Sequence, residues 1–448
     1  MRASLLLRAS CLAGALACSL ASSAQANPLD AFGFGSRETA MAGAVSADVH
    51  DFSANYYNPA GLALARRMEL SIGYVNVDHS LKINGLDSGV DPVRALVGGI
   101  VAPGVIAGVP FAFGFAIHLP DDRLSRVRAE QQDQPRWELY DNRNQRLYLA
   151  ASLAVSPFPW LQVGGGLSFM SSTTGAIDIT GQLDIFQTDN SQVRHSVDAD
   201  LTAIRYPEVG ARVAVAKNWA LAVVYRGQFS LSLDLNATLK GNISSLTTAY
   251  YDLQTTSVNN FLPQQVVLGN SWEVLKGLHA NFDLTWVNWS AYVPPVSDVN
   301  VILNIPAPKG GWPANITPPT TPAPTTILPI AMHDRIVPRV GVEWRAFHAD
   351  HWEALVRAGY EYDKTPIGAQ TGETNYIDRD RHAFSLGLGG RAVDLIPELP
   401  RDLRLDLHAQ LSELPTGTTL KTSPTDFTGD YTAGGHIWNL GATLTAGF

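Results

Sequence analysis

The chain has 448 residues, 16% of them charged and 46% hydrophobic, with 32 basic against 41 acidic side chains and a formal net charge of -9. That charge content is well below the roughly 25% of ordinary soluble domains, and an acidic chain is a poor ligand for nucleic acid. Both cysteines, Cys11 and Cys18, fall in the first twenty residues, which excludes a secreted domain stapled by disulfides.

Arg2 and Arg8, the apolar or small run from Leu5 to Leu20, and Ala24-Gln25-Ala26 predict an export signal over residues 1–26, cleaved before Asn27. The run is too short to span a membrane and is soon followed by Ser22, Ser23 and Gln25. A lipoprotein reading of Cys18 lacks the leucine expected three residues upstream. Losing two arginines leaves 30 basic against 41 acidic groups, a net charge of -11. Beyond the signal no apolar stretch reaches the 18 or so residues of a membrane helix.

Residues 27–66 come next, with Phe32-Gly-Phe-Gly35, Ala40-Met-Ala-Gly-Ala44 and Ser53-Ala-Asn-Tyr-Tyr-Asn-Pro-Ala-Gly-Leu-Ala63. They are too irregular for a membrane strand and too apolar for a disordered tail. Asn58-Pro59 predicts a fixed turn, because proline locks its own φ and keeps the residue before it out of the helical region. Gly61 permits an exit conformation closed to other residues.

From residue 67 the pattern changes to alternation. In Leu403-Arg-Leu-Asp-Leu-His-Ala-Gln-Leu411 every odd position is apolar and the residues between are polar or charged, which is a strand with two unlike faces. Fourteen strands are predicted, at 67–83, 93–103, 111–128, 138–155, 161–184, 197–216, 219–240, 264–275, 278–293, 335–347, 352–366, 380–393, 403–416 and 435–448. Tight turns at 157–159, 217–218, 276–277 and 348–351 alternate with long connections at 120–137, 241–263, 294–334 and 417–434. A sandwich or propeller has no reason to sort its loops in this way. An all-β transmembrane antiparallel barrel does, with short turns on one side and long loops on the other. In hydrocarbon every backbone amide must be paired, so such a sheet closes and has no edge. Several strands exceed the 9 to 11 residues that cross a bilayer, so the barrel should project on the long-loop side. Ahead of such a barrel, residues 27–66 read most simply as a plug within its lumen.

The phenylalanine-glycine repeats, the small-residue run Met41 to Asp48, and above all Tyr57-Asn-Pro-Ala-Gly-Leu62 resemble the FadL-type hydrophobic-compound transporters of the bacterial outer membrane. The last strand, with Leu440, Ala442, Leu444, Ala446 and terminal Phe448, resembles the signal that outer-membrane proteins show to their barrel assembly machinery. The resemblance implies fourteen strands, a monomer, and a hatch at 27–66 carrying Asn58, Pro59 and Ala60. It further implies passive uptake of long-chain fatty acids or, in some members, aromatic hydrocarbons, with no cofactor. A shift of the mature N-terminus would open a path, and the solute would leave sideways at a kinked third strand, here the one with Gly114 and Pro120. Lateral exit suits a solute that gains nothing from entering water.

Asn58, Pro59 and Ala60 match the motif directly, against the plainer reading of a turn before a strand. Phe32 and Phe34 read as part of a gate to the solute cavity or, equally, as plug packing. Tyr56 and Tyr57 read as cavity lining or cavity wall. Arg123, Arg126 and Arg128, placed on the third strand, with Arg143 and Arg146 on the fourth, form the densest basic patch and suit a carboxylate head group. Their plainer reading is pairing with Asp121, Asp122 and Glu130, or with outer-membrane lipid and lipopolysaccharide. The family's own carboxylate-binding positions do not align here and are not transferred.

Trp272, Trp286, Trp289, Trp344 and Trp352 near strand ends read as interfacial girdle residues. His348-Ala-Asp-His-Trp-Glu353 holds metal-capable side chains, but in an extended turn the two histidines face opposite ways, and no metal site is assigned. The connection from Pro294 to Pro329 holds ten of the 27 prolines and should be extended and without regular structure. It differs from the helical capture loops of the best-known fatty-acid transporters, as does the short connection 185–196. An enzyme barrel would need a nucleophile or paired-carboxylate site, and no Gly-x-Ser-x-Gly motif occurs; no catalytic residue is assigned. A structural barrel or an open porin would not need a plug.

Overall fold

Alternation of side chains closes the chain into one ring of fourteen strands. The computed structural model describes the protein from residue 28 onward, except 125–131, 141–145, 185–191, 244–246, 293–296, 313–320, 322–327, 329 and 395–400. The expected signal over 1–26 and Arg126, Arg128 and Arg143 lie outside the described residues.

We number the strands of the ring β1 Glu69–Ile83, β2 Val93–Ile106, β3 Val109–Pro120, β4 Tyr148–Phe158, β5 Leu161–Asp184, β6 Gln192–Ala216, β7 Trp219–Arg226 resuming at Phe229–Ile243, and β8 Thr247–Leu262 resuming at Gln265–Leu275. β9 is Leu278–Val287, β10 Arg335–His348, β11 Trp352–Asp363, β12 Arg381–Val393, β13 Asp402–Thr419 and β14 Tyr431–Gly447. Each pairs antiparallel with the next, and β14 pairs with β1 from Glu69 opposite Gly447 to Ile83 opposite Ala433, leaving the ring no edge.

The two faces separate cleanly. On β7, Trp219, Leu221, Val223 and Tyr225 point outward, while Ala220, Ala222, Val224 and Arg226 point inward. Large apolar residues thus face lipid, and small or polar ones leave room inside. The tight turns lie at one end with the start of β1 and the end of β14, which marks that end as periplasmic. One of them, Ala107-Gly108 between β2 and β3, takes φ of 51° and 80°, the left-handed pair that a two-residue hairpin requires.

Four expectations need correction. The third strand stops at Pro120 and the fourth starts only at Tyr148. The charged residues from Asp121 onward cannot extend a lipid-facing strand, and Arg136–Trp137 instead pairs in parallel with Tyr376–Ile377 above the barrel. Residues 241–263 are mostly strand, not loop, because Thr247–Leu262 runs against Phe229–Ile243. Within the proline-rich connection, the proline-free stretch Ser297–Asn304 pairs with residues 250–257 of β8. Trp289 is no girdle residue: it is buried against Phe261 and Tyr292, whereas Trp272, Trp344 and Trp352 face outward near the periplasmic turns.

The extracellular connections form a cap. Asn375, fully buried, donates from its backbone N–H to the Gln132 carbonyl at 2.8 Å and from its side chain to the Asp133 carbonyl at 2.6 Å and the Thr428 hydroxyl at 3.1 Å. One amide therefore joins three connections. Gln132 also exchanges two hydrogen bonds with the backbone of Leu328, which ties in a fourth.

Candidate functional site

The first described residues fold inside the ring. Helix α1 is Pro28–Phe32, α2 Ser36–Ala40 and α3 Ala54–Tyr57, followed by a 3-10 turn at Pro59–Leu64. Gly33 and Gly35, at φ of 77° and 87°, make the bend between α1 and α2 that a side chain would forbid. Asn58 is extended at φ -166°, and its Oδ1 accepts from the Ala60 N–H at 3.1 Å while its Nδ2 donates to the Ser46 carbonyl at 2.7 Å. Asn58 thus caps the turn that Pro59 begins and joins it to the preceding loop. Ala60 is fully buried beside it.

The wall holds this segment by its backbone. Arg226 of β7 donates to the carbonyls of Tyr56 at 2.8 Å and Tyr57 at 3.3 Å, and its guanidinium lies 4.4 Å from the Tyr56 ring centre. Arg212 donates to the Ala47 carbonyl at 2.7 Å, Arg381 to that of Ala31 at 2.7 Å, and Asn439 to that of Phe32 at 2.6 Å. In the other direction Asp283 accepts from the N–H groups of Val45 and Ser46, at 3.2 and 3.0 Å. Where the segment's backbone comes closest, the wall presents glycine. A Cβ on Gly164 or Gly210 would overlap Pro59 or Asn58, and one on Gly341 would lie 2.7 Å from Met41.

Above the segment, toward the outside, aromatic rings succeed one another. Trp137 and Tyr140 are 6.3 Å apart, Tyr140 meets His79 at 6.3 Å, and His79 meets Phe32 at 5.5 Å. Two residues on, Phe34 contacts Phe52, Tyr56 and Tyr148 at 5.1, 6.3 and 5.9 Å. Phe32, Phe34, Tyr56 and Tyr57 are all buried and belong to one apolar cluster. The Tyr57 hydroxyl accepts from the Phe34 N–H at 3.1 Å, and that of Tyr56 donates to Asp30. Two small cavities, of about 30 and 20 Å³, both border Asp30 and Ala31, so α1 stands between them.

Below lies a larger chamber of about 470 Å³ on the periplasmic side. Its walls are ion pairs: Arg37 with Glu343 at 3.0 Å, Arg357 with Asp406 at 2.7 Å, Arg404 with Glu69 at 2.6 Å and Arg391 with Asp402 at 2.7 Å. Over this chamber, burial and the neighbouring Asp51 push the Glu38 carboxyl of α2 up to about 8, against the pull of Arg37.

The structure brings Phe32, Phe34, Tyr56, Tyr57, Asn58, Pro59 and Ala60 together and leaves Arg123 apart. Arg123 follows β3 and sits half-exposed at the rim, 3.1 Å from Asp91, while Arg146 is buried just before β4. The ladder through Gly114 is unbroken on both sides of β3, and Gly114 makes room for Leu62 and Asn55. Sequence reasoning missed Arg226, Arg212 and Asp283. The available signal was a charge at an inward position of an otherwise apolar strand, close to inward glycines.

The chain matches the family described as outer membrane protein transport protein (OMPP1/FadL/TodX) over residues 14–442. It is 23% identical to alkane uptake protein A of Marinobacter nauticus over 441 residues, covering 92% of this chain and 89% of that one. Among solved structures it superposes on a Pseudomonas aeruginosa FadL homologue with a TM-score of 0.55 at 15% identity, over 92% of this chain and 97% of that one. With the Pseudomonas putida toluene transporter TodX the TM-score is 0.52 at 14% identity, over 93% and 98%. The closed fourteen-stranded ring and a match running through nearly all of it carry one conclusion: the chain belongs to the FadL/TodX family of outer-membrane transport proteins and resides in the bacterial outer membrane.

Proposed function

We propose that the protein admits uncharged hydrocarbons, aliphatic or aromatic, by passive uptake, with residues 28–64 as a hatch that rearranges rather than leaves. The observation that carries this reading is the aromatic column of Trp137, Tyr140, Phe32, Phe34, Tyr56 and Tyr148 above the hatch. The guanidinium groups around it are already committed. Arg335 pairs with Asp363 at 3.0 Å, Arg339 with Glu361 at 3.0 Å, Arg381 with Glu361 and Asp363, and Arg226 with hatch carbonyls. A fatty-acid carboxylate would have to displace one of these partners, and breaking a buried pair is costly. A hydrocarbon asks for no such exchange.

α1 is the element whose displacement would join the two small cavities that it separates, and Asn58, Pro59 and Ala60 are the fixed base on which it would move. The ion-paired chamber below supports lateral exit. An apolar solute passing down through it would lose about 25 cal/mol for every Å² of apolar surface returned to water.

The test is uptake of labelled hexadecane, toluene and oleate by cells lacking their own transporter, with and without the folded protein. Gain for hexadecane or toluene over oleate is the expected outcome. Preferential oleate uptake would return the assignment to fatty acids, and no gain for any of the three, with folding confirmed, would overturn the uptake reading.

A further inference from the structure

The connection between β11 and β12 presents a row of backbone carbonyls to a single lysine. Lys421, two residues beyond β13, donates from Nζ to the oxygens of Gln370 at 3.0 Å, Gly372 at 2.5 Å and Thr374 at 2.9 Å. Alternate carbonyls of an extended segment point the same way, toward the N–H groups that a neighbouring strand would offer. Here the ammonium offers them, and its three donors meet three acceptors. Asp426 answers the charge at 3.4 Å, and the two side chains are only 4% and 1% exposed, so water competes little for the ammonium. Asp426 is itself held by the N–H groups of Thr428 and Gly429, at 3.2 and 2.8 Å.

What the lysine holds matters because of where this arc leads. Three residues past Thr374, Ile377 is 2% exposed and belongs to the apolar cluster that contains Trp137, Tyr140 and Phe32. Tyr376–Ile377 pairs in parallel with Arg136–Trp137, and the Arg136 guanidinium covers the Tyr376 ring at 4.5 Å. The outer end of the aromatic column is thereby shut. A solute in the medium meets Tyr140 and Phe32 only after Ile377 or Trp137 has moved aside.

The arc is built to move as one piece. Its two ends are fixed, since Asp363 at the end of β11 pairs with Arg381 at the start of β12 at 3.3 Å, and Tyr362 donates to Asp380 at 2.8 Å. Between those points it is joined to the 417–430 connection by polar contacts. Besides the Lys421 cage, the N–H groups of Thr422 and Ser423 donate to the Thr371 carbonyl at 2.9 and 3.3 Å. Water can replace such contacts when they part, which it cannot do for apolar surface.

We propose that residues 370–377 are a lid on the aromatic column and that the Lys421 ammonium is its latch, so that solute enters between the 364–380 and 417–430 connections. The proposal rests on the uptake reading above and supplies its outermost step.

Two measurements test it. A cysteine at position 377 reports the lid through its rate of labelling by a charged maleimide. Labelling should be slow in I377C and about tenfold faster in I377C/K421M, whose methionine is of similar length but brings neither donor nor charge. Equal rates in two barrels of equal folded mobility would overturn the latch. The second measurement staples the seam with T371C/T422C, using F113C/L153C as its counterpart; Phe113 and Leu153 are outward-facing register partners across β3 and β4. With disulfide formation followed by mass spectrometry, hexadecane uptake should be about tenfold slower in oxidised T371C/T422C, recover on reduction, and ignore redox state in F113C/L153C. Unchanged uptake through a formed 371–422 staple overturns the lid. Should that staple not form, the labelling rates decide. Absence of uptake by the reduced protein would sink the uptake reading, while labelling at 377 still reports whether Lys421 holds the arc closed.

Discussion

The Oδ1 of Asn58 fills the space that a Cβ at position 210 would need, so Gly210 and Asn58 are a single fitted pair across the lumen. Gly210→Ala should push Asn58 off Ala60 and Ser46, at about 1 kcal/mol for each hydrogen bond weakened. Amide exchange at Ala60 should then quicken by about tenfold for each 1.4 kcal/mol lost. The barrel itself should keep its heat-modifiable mobility, since β6 remains paired at that rung. Replacing Asn58 and Pro59 with alanine should alter uptake while the barrel still assembles; loss of the folded barrel would mark the motif as structural instead.

Arg226→Met removes the donors to Tyr56 and Tyr57 and leaves two buried carbonyls to find others. The expected cost is about 2–4 kcal/mol, localised to the hatch, with Arg226→Lys recovering part of it. Limited proteolysis between residues 52 and 64 reads this directly: cleavage should appear in the Met variant before the barrel melts. Equal resistance in wild type and variant would show that the aromatic contacts alone hold the segment.

Glu208, on β6, is 1% exposed, and its carboxyl oxygens make no well-formed hydrogen bond. The Tyr148 and Ser168 hydroxyls beside it are bonded to each other at 3.0 Å. A buried carboxyl without well-formed hydrogen bonds carries its desolvation penalty uncompensated. Glu208→Leu should therefore raise the temperature at which the barrel loses its folded mobility, by an amount corresponding to about 1–2 kcal/mol. A fall of that size would reveal that Glu208 is held by bonds to solvent or solute.

Asp378 lies in the extracellular cap, where burial pushes its carboxyl from 3.8 up to about 7, with Asp363 adding to the rise and Arg335 and the Thr365 hydroxyl opposing it. Over that interval the folded cap holds a proton that the unfolded chain has released. Its stability is thus greatest below about pH 4 and declines as pH climbs toward about 7. Protease nicking of the 364–380 connection should accelerate severalfold from pH 5 to pH 8, and Asp378→Asn should flatten that dependence. An unchanged slope in the variant would assign the pH response to another group.

Much of the ring was legible because lipid outside and a packed lumen inside impose a two-residue period that shows plainly in Leu403 to Leu411. The break in composition at residue 67 likewise marked where the segment folded inside the ring gives way to strands. Above the membrane the same period misled. The strand expected to run past Pro120 into the charged residues that follow ends there instead, and Thr247–Leu262 is polar enough to resemble a loop, because no lipid face filters its composition. The turn at Asn58 and Pro59 was legible, because its local chemistry is self-contained. Its receptors on the wall were not. Nothing near Arg226 or Gly164 in sequence says that a backbone more than a hundred residues away will lie against them.

The wall that receives the hatch is itself incomplete. Gly164, Gly210 and Gly341 contribute no side chain, and Arg212, Arg226 and Asp283 point into the lumen toward backbone groups that only the hatch supplies. The barrel is consequently not a pipe with a removable stopper. Emptied, it would keep bare backbone and unanswered charges where its first forty described residues had been, so on the proposed uptake reading a path opens by rearrangement around a retained filling and not by its expulsion.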